Sequence, residues 1–185
     1  MEDPVFRLVA GLGNPGRQYE NTRHNVGFLV ADELARRAGV AFAPVARWNA
    51  EIARAGEVTF MKPMTFMNLS GEAVGGFCRF HKLEPSSVLV IIDDVALEPG
   101  RLRLRRSGSD GGHNGLASVI AHLGTDRVPR LRVGIGGGRH SLVDHVLGRF
   151  SDEEKKTFDA AVARAADAFE FAQQNGLEKA MNQYN

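Results

Sequence analysis

The chain has 185 residues and a mass of 20.1 kDa, with 43% hydrophobic and 24% charged residues, which excludes wholesale disorder and suits one domain over 1–185. Its single cysteine, Cys78, excludes a disulfide framework and a Cys-rich zinc site, and runs such as Val88 to Ile92 fall far short of a membrane span. The 23 basic and 22 acidic side chains nearly balance, and the first ten residues lack the pattern of a secretory leader, so a reducing compartment is expected.

Val5 to Ala10 is predicted to form a short buried strand, ended by Gly11-Leu12-Gly13-Asn14-Pro15-Gly16 and a polar loop to Asn25. Val26 to Ala38 has apolar residues at helical spacing, with Gly39 as its stop. Glu51 to Ala55 and Glu57 to Met61, parted by Gly56, read as a hairpin or two short strands. Asn68 is placed to cap a helix running from Ser70 to Leu83. Ser87 to Ile92 is the clearest buried strand and closes on Asp93-Asp94. An arginine-rich strand follows, then a glycine-rich loop, a helix from about Leu116 to Leu123, and a strand from Leu131 to Ile135. Ser151-Asp152-Glu153-Glu154 is a capping box opening a helix to about Gln174, and Gly176 separates a short terminal helix. Alternating strands and helices argue for an α/β sandwich with a largely parallel or mixed sheet. In such sheets, sites gather in loops beyond the carboxyl ends of the strands.

The near-neutral total hides an asymmetry. Residues 1–100 carry a net −2, residues 101–149 a net +6 and residues 151–185 a net −3. The densest stretch, Arg101-Leu102-Arg103-Leu104-Arg105-Arg106, alternates at period 2, which puts Arg101, Arg103 and Arg105 on one strand face and the leucines on the other. A row of guanidinium groups suits phosphate oxygens; it equally suits a solvated face that keeps a strand edge soluble.

Gly11 to Gly16 matches the dinucleotide fingerprint G-x-G-x-x-G, but a polar stretch stands where a helix should open, and Asp32 and Glu33 fall inside a helix rather than ending a second strand. No P-loop, nucleophile elbow or H-E-x-x-H motif occurs. His140 and His145 lack companions for a metal site, and Cys78 sits in an apolar helical stretch, as core rather than nucleophile. What remains is a set of polar residues at strand ends: Asn14, His24 and Asn25 after the first strand, Asn68 after the hairpin, Asp93, and His113-Asn114. Taken singly, each reads as a turn or cap residue. Taken together they describe water activation. An imidazole, ordinarily near pKa 6.5, takes a proton from water; a carboxylate on its other nitrogen fixes the tautomer; carboxamides offer N–H donors to a developing oxyanion. With no serine or cysteine nucleophile evident, the fitting target is an ester attacked directly by water, and the arginine strand implies a leaving group bearing phosphates.

At these residues the chain resembles the bacterial-type peptidyl-tRNA hydrolases. The matching stretches are Gly11–Phe28, Lys62–Val74, Val88–Arg105, Gly111–Leu116 and Arg130–Gly136, in order along nearly the whole chain. The resemblance implies a single three-layer α/β/α domain with a mixed, mostly parallel twisted sheet. It further implies a cytoplasmic monomer without cofactor, metal or obligate protein partner, acting on peptidyl-tRNA. Carried over by motif, His24 would be the general base, Asp93 its orienting partner, and Asn14 would sit beside the scissile group. Asn68 and Asn114 would hold the peptide backbone and position water. Tyr19 and Phe66 would line the site for the 3′ end, and Arg103, Arg105 and Arg132 would hold tRNA phosphates. The chain departs from the family pattern at Ala96, where an acid is common, at Ile92, where many members have histidine, and at Asp110, an added negative charge in the glycine-rich loop. The readings left open are an RNA-binding protein on the same scaffold, as in splicing relatives of this family, and a hydrolase of another small acylated carrier.

Overall fold

The computed structural model describes residues 5–137 and 142–185. Seven strands form one sheet: β1 (Leu8–Gly11), β2 (Ala43–Val45), β3 (Ala50–Ala55), β4 (Val58–Pro63), β5 (Val88–Asp94), β6 (Leu102–Arg105) and β7 (Arg130–Gly134). Their spatial order is β2-β3-β4-β1-β5-β7-β6. The four central strands run parallel, while β2 and β3 on one side and β6 on the other run antiparallel to their neighbours. The sheet is therefore mixed, with a parallel centre.

Helices cover both faces. α1 (Val26–Ala38), α5 (Asp152–Asn175) and α6 (Leu177–Tyr184) pack on one, where Val9, Leu89 and Ile91 meet Leu34, Phe158 and Phe169. α2 (Ser70–His81) and α3 (Asn114–Leu123) pack on the other, over Ala10, Val90 and Ile92. Ile92 is thus a core residue. β5 is buried on both faces, which is why it reads as an unbroken apolar run rather than an alternating one. The predicted hairpin is present, turning at Gly56 with φ +60°, and the predicted Ser151 capping box forms on α5.

Four local expectations are corrected. The first strand begins at Leu8, not Val5: the Phe6 backbone pairs instead with the Gln173 carboxamide, N–H to Oε1 at 2.7 Å and Nε2 to carbonyl at 3.0 Å. Asn68 does not cap α2. A tight 3-10 turn, Met67–Leu69, runs straight into the helix, and Ser70 Oγ bonds back to the Met67 carbonyl at 2.8 Å. α3 begins at Asn114, two residues early, because His113 supplies its cap. β2 and the short α4 (Leu142–Val146) have no counterpart in the sequence reading.

Parallel pairing brings the ends of β1, β4 and β5 to one rim of the sheet. The segment after β6 reaches the same rim by doubling back over β7. The Gly108 N–H bonds the Asp126 carbonyl, Arg130 and Arg132 both donate to the Ser109 carbonyl, and His113 arrives at the end of β5.

Candidate active site

His24 lies in a 3-10 turn, Arg23–Asn25, immediately before α1. Two glycines let that turn sit over the sheet. A Cβ on Gly11 would strike the Gly27 carbonyl, and one on Gly27 would run into the Leu12 and Ile91 backbones. The start of α1 therefore touches β1 and β5 at backbone distance, which sets His24 above Asp93, itself 3% exposed.

Asp93 Oδ1 faces two imidazoles: His24 Nδ1 at 2.7 Å and His113 Nε2 at 2.8 Å, with the ring centroids 5.0 Å apart. Burial pushes the Asp93 carboxyl up, but His113 and then His24, by charge and hydrogen bond, outweigh it and hold the group well below the usual carboxylate range. An ionised carboxylate only accepts, so both ring nitrogens facing it carry protons. His113 has an independent check: its Nδ1 accepts the Leu116 N–H at 3.1 Å, which leaves the proton on Nε2. The neutral form of His24 is therefore the Nδ1–H tautomer, in which Nε2 keeps a bare lone pair. His113 thus joins the start of α3 to Asp93, and no local sequence signal announces its bond to that carboxylate.

Among the described residues, His24, Asp93 and His113 are also a group whose ligand atoms lie within 4.8 Å of one another. Their protons disfavour a metal. An ion on His113 Nε2 would force the proton to Nδ1, against the Leu116 N–H.

Asn14, 8% exposed, is held rigidly: its N–H donates to Asn25 Oδ1 at 2.8 Å and its carbonyl accepts Asn25 Nδ2 at 2.9 Å. Asn14 Oδ1 accepts the Met67 N–H at 2.7 Å, so its Nδ2, unpaired among the described residues, is available as a donor. The same bond ties the β4 loop, and with it the exposed Asn68, to the β1 loop. Gly115, just inside α3, leaves the space Met67 Sδ occupies, which brings Asn114 alongside. A cleft of about 150 Å³ is lined by His24, Asp93, His113, Asn114 and Arg132, with Val143 and Val146 of α4 as an apolar wall. Asn25, one residue on from His24, lines a second cleft of about 450 Å³ with Asn14. Phe66 is 57% exposed beside Met67, and neither it nor Tyr19 lines either cleft. Asp110 turns inward on its own loop, accepting the Gly112 N–H at 2.7 Å.

The arginine strand behaves as its alternation predicts: Leu102 and Leu104 are buried, Arg105 is exposed and Arg103 half-buried. Register adds two more arginines, Arg132 opposite Arg103 and Arg130 opposite Arg105. Arg132 is mostly covered by the returning loop, its side chain 12% exposed and 3.7 Å from Asp94 Oδ2. Arg130, which sequence reasoning did not single out, is fully buried and donates to the carbonyls of Val128, Ser109 and Asp126. Desolvation, and then Arg132, pull its pKa down to about 10. His140 lies outside the described residues.

Residues 8–185 match the family model described as peptidyl-tRNA hydrolase. The chain belongs to the peptidyl-tRNA hydrolase family. A peptidyl-tRNA hydrolase of Synechococcus sp. (strain JA-3-3Ab) is 48% identical, covering 100% of this chain and 84% of that one. One of Akkermansia muciniphila is 47% identical, covering 100% and 98%. The crystal structure of the Acinetobacter baumannii peptidyl-tRNA hydrolase superposes with a TM-score of 0.93 at 34% identity, covering 100% of this chain and 97% of that one. The chain is therefore an enzyme on the peptidyl-tRNA hydrolase scaffold, as its three layers and mixed sheet lead one to expect.

Proposed function

We propose that this enzyme of the peptidyl-tRNA hydrolase family, which hydrolyses peptidyl-tRNA, does so with His24 as general base. His24 Nε2 takes a proton from water, and the hydroxide oxygen bonds to the acyl carbon of the ester joining the peptide to the 3′ ribose. Asp93 stabilises the imidazolium as it forms. Asn14 Nδ2, beside the scissile group, donates to the oxyanion, and the carboxamides of Asn68 and Asn114 hold the peptide backbone and position water. Collapse breaks the bond between the acyl carbon and the ribose oxygen, and the imidazolium returns its proton to that oxygen. The products are a free peptide acid and a tRNA with a 3′ hydroxyl.

Arg103 and Arg105, with Arg132 behind them, draw the tRNA phosphates to the β6–β7 edge; Tyr19 and the exposed Phe66 are surfaces for the 3′ end. The enzyme acts as a monomer in the cytoplasm, without cofactor; no helix among the described residues is long and apolar enough to cross a membrane. One observation carries the mechanism: a single buried carboxylate oxygen takes two imidazole N–H groups, leaving His24 Nε2 bare on the cleft. A pure RNA-binding protein has no use for so oriented a base. Incubation with an N-acetylated aminoacyl-tRNA and its unblocked counterpart tests the proposal. Free tRNA released from the blocked form is the expected result; binding without release would leave the RNA-binding reading.

A further inference from the structure

Arg23 immediately precedes the proposed base, yet its bonds lead elsewhere. Its Nη2 makes a two-pronged pair with Glu154, at 2.8 and 2.9 Å, and its Nη1 donates to the His145 carbonyl at 3.2 Å. Its backbone N–H donates to the Gly148 carbonyl at 2.9 Å. Around it, Thr22 bridges to Arg149 in antiparallel fashion, and the Phe150 N–H reaches the Asn21 carbonyl at 3.4 Å. The chains approach so closely that a Cβ on Gly148 would strike the Arg23 guanidinium. Arg23 Nε is buried with no acceptor among the described residues, so the guanidinium is oriented by Glu154 and His145 rather than by its own surroundings.

The segment held in this way carries α4. Five residues are too few for a helix to keep its place alone, and Val143, facing the cleft with Val146, is 62% exposed. Besides Arg23, α4 is anchored by His145 Nε2 on the Ile135 carbonyl, at 3.0 Å. Glu154 is also the last residue of the capping box and the third of α5, bonded to the Ser151 N–H at 2.8 Å. One ion pair thus joins the start of α5, through Glu154, to the α4 segment and the catalytic loop, through Arg23. Both partners are mostly covered, with side chains 15% and 29% exposed, which shields the pair from solvent screening.

We infer that Arg23 and Glu154 are positioning residues that clamp α4 onto the catalytic loop, so that the Val143–Val146 wall stands in place beside His24 when substrate enters. The inference rests on the hydrolase reading of that cleft. His24 is held separately by Asp93, so releasing the clamp loosens the hold on substrate and leaves proton transfer intact.

The test compares the wild type with Arg23→Met, Arg23→Lys, Glu154→Gln and the Arg23→Met/Glu154→Gln pair, in steady-state cleavage of an N-acetylated aminoacyl-tRNA and in amide hydrogen exchange across residues 143–148. Glutamine still completes a capping box, so Glu154→Gln spares α5 and carries the test should Arg23→Met fail to fold. Arg23→Met is expected to raise KM about tenfold, change kcat by less than about threefold, and speed exchange at Leu147 and Gly148. Glu154→Gln moves KM the same way by less, Arg23→Lys falls between, and the pair is no worse than Arg23→Met. Unchanged KM with normal exchange, additive losses in the pair, or a fall in kcat at constant KM would each overturn the clamp. A wild type that cleaves nothing would instead defeat the hydrolase reading, and the exchange measurement would still decide the clamp.

Discussion

The two halves of this sheet treat charge in opposite ways. At the ends of β1 and β5 a buried carboxylate is closely answered: Asp93 takes two imidazole N–H groups on one oxygen, and the His113 ring is fixed in turn by the Leu116 N–H. At the β6–β7 edge, arginines stand opposite arginines, Arg103 across from Arg132 and Arg105 across from Arg130. Like charges directly opposite are destabilising in a sheet, and the compensation is mostly backbone: three carbonyls for Arg130, and for Arg132 the Ser109 carbonyl with one Asp94 oxygen at 3.7 Å. Chemistry on one bond demands fixed protons and fixed angles. Holding a polyanion demands charge that its own protein has left unspent.

The sharpest way to break the comparison is at the first centre. His24→Ala should cut single-turnover cleavage of a blocked aminoacyl-tRNA by about 10³-fold while leaving folding and tRNA affinity intact; near-normal turnover would remove His24 from the mechanism. Asp93→Asn should lower the same rate by at least about tenfold by losing the tautomer, and it carries a signature in stability. The Asp93 carboxyl is depressed in the folded protein, so the stability it contributes is complete above its ordinary pKa of 3.8 and lost as the pH falls through its folded value. Urea unfolding of wild type and Asp93→Asn should therefore differ most near pH 6, and the gap should narrow near pH 3. A gap independent of pH would mean the carboxylate is not what the variant lost.

At the second centre, Arg103→Ala with Arg105→Ala should weaken tRNA binding and reduce the slope of log affinity against log salt by about 2, leaving the saturated rate unchanged. An unchanged slope would mean that this edge does not face RNA. The smallest effect separates two asparagines. Asn14→Ala strands the buried Met67 N–H and should cost about 1–3 kcal/mol of stability. Asn68→Ala, at an exposed side chain, should shift stability by less than about 0.5 kcal/mol and register only as weaker substrate binding, read as KM. Equal melting temperatures for the two variants would contradict the assigned hydrogen bond.

Most of the scaffold could be read from the chain because its signals are local. The Gly39 stop of α1, the Ser151 box and the apolar run of β5 each act over a few neighbouring residues. What escaped depends on partners far away. Nothing near Val5 and Phe6 announces that Gln173 will take the place of a strand neighbour. β2 is three residues with Pro44 at its centre, an edge strand too short to alternate, and α4 is too short to show a helical period. Asn68 fits a cap by type, yet the 3-10 turn ahead of α2 leaves no free position for it. In the site, His24 before α1 and Asp93 closing β5 both stand at strand-end positions legible in the sequence, and the fold sets them 2.7 Å apart. Asn25's grip on Asn14, and the burial of Arg130 beneath a loop that doubles back over β7, become visible only once the sheet is assembled.

By taking both N–H groups on one oxygen, Asp93 sorts two neutral histidines into opposite tautomers and leaves one lone pair free for water. Long-range proton–nitrogen correlation spectra of the ¹⁵N-histidine-labelled enzyme, recorded where both rings are neutral, read this directly. The expected result is a proton on Nδ1 of His24 and on Nε2 of His113. A proton on Nε2 of His24 would leave that ring no base to offer the cleft, and would contradict it.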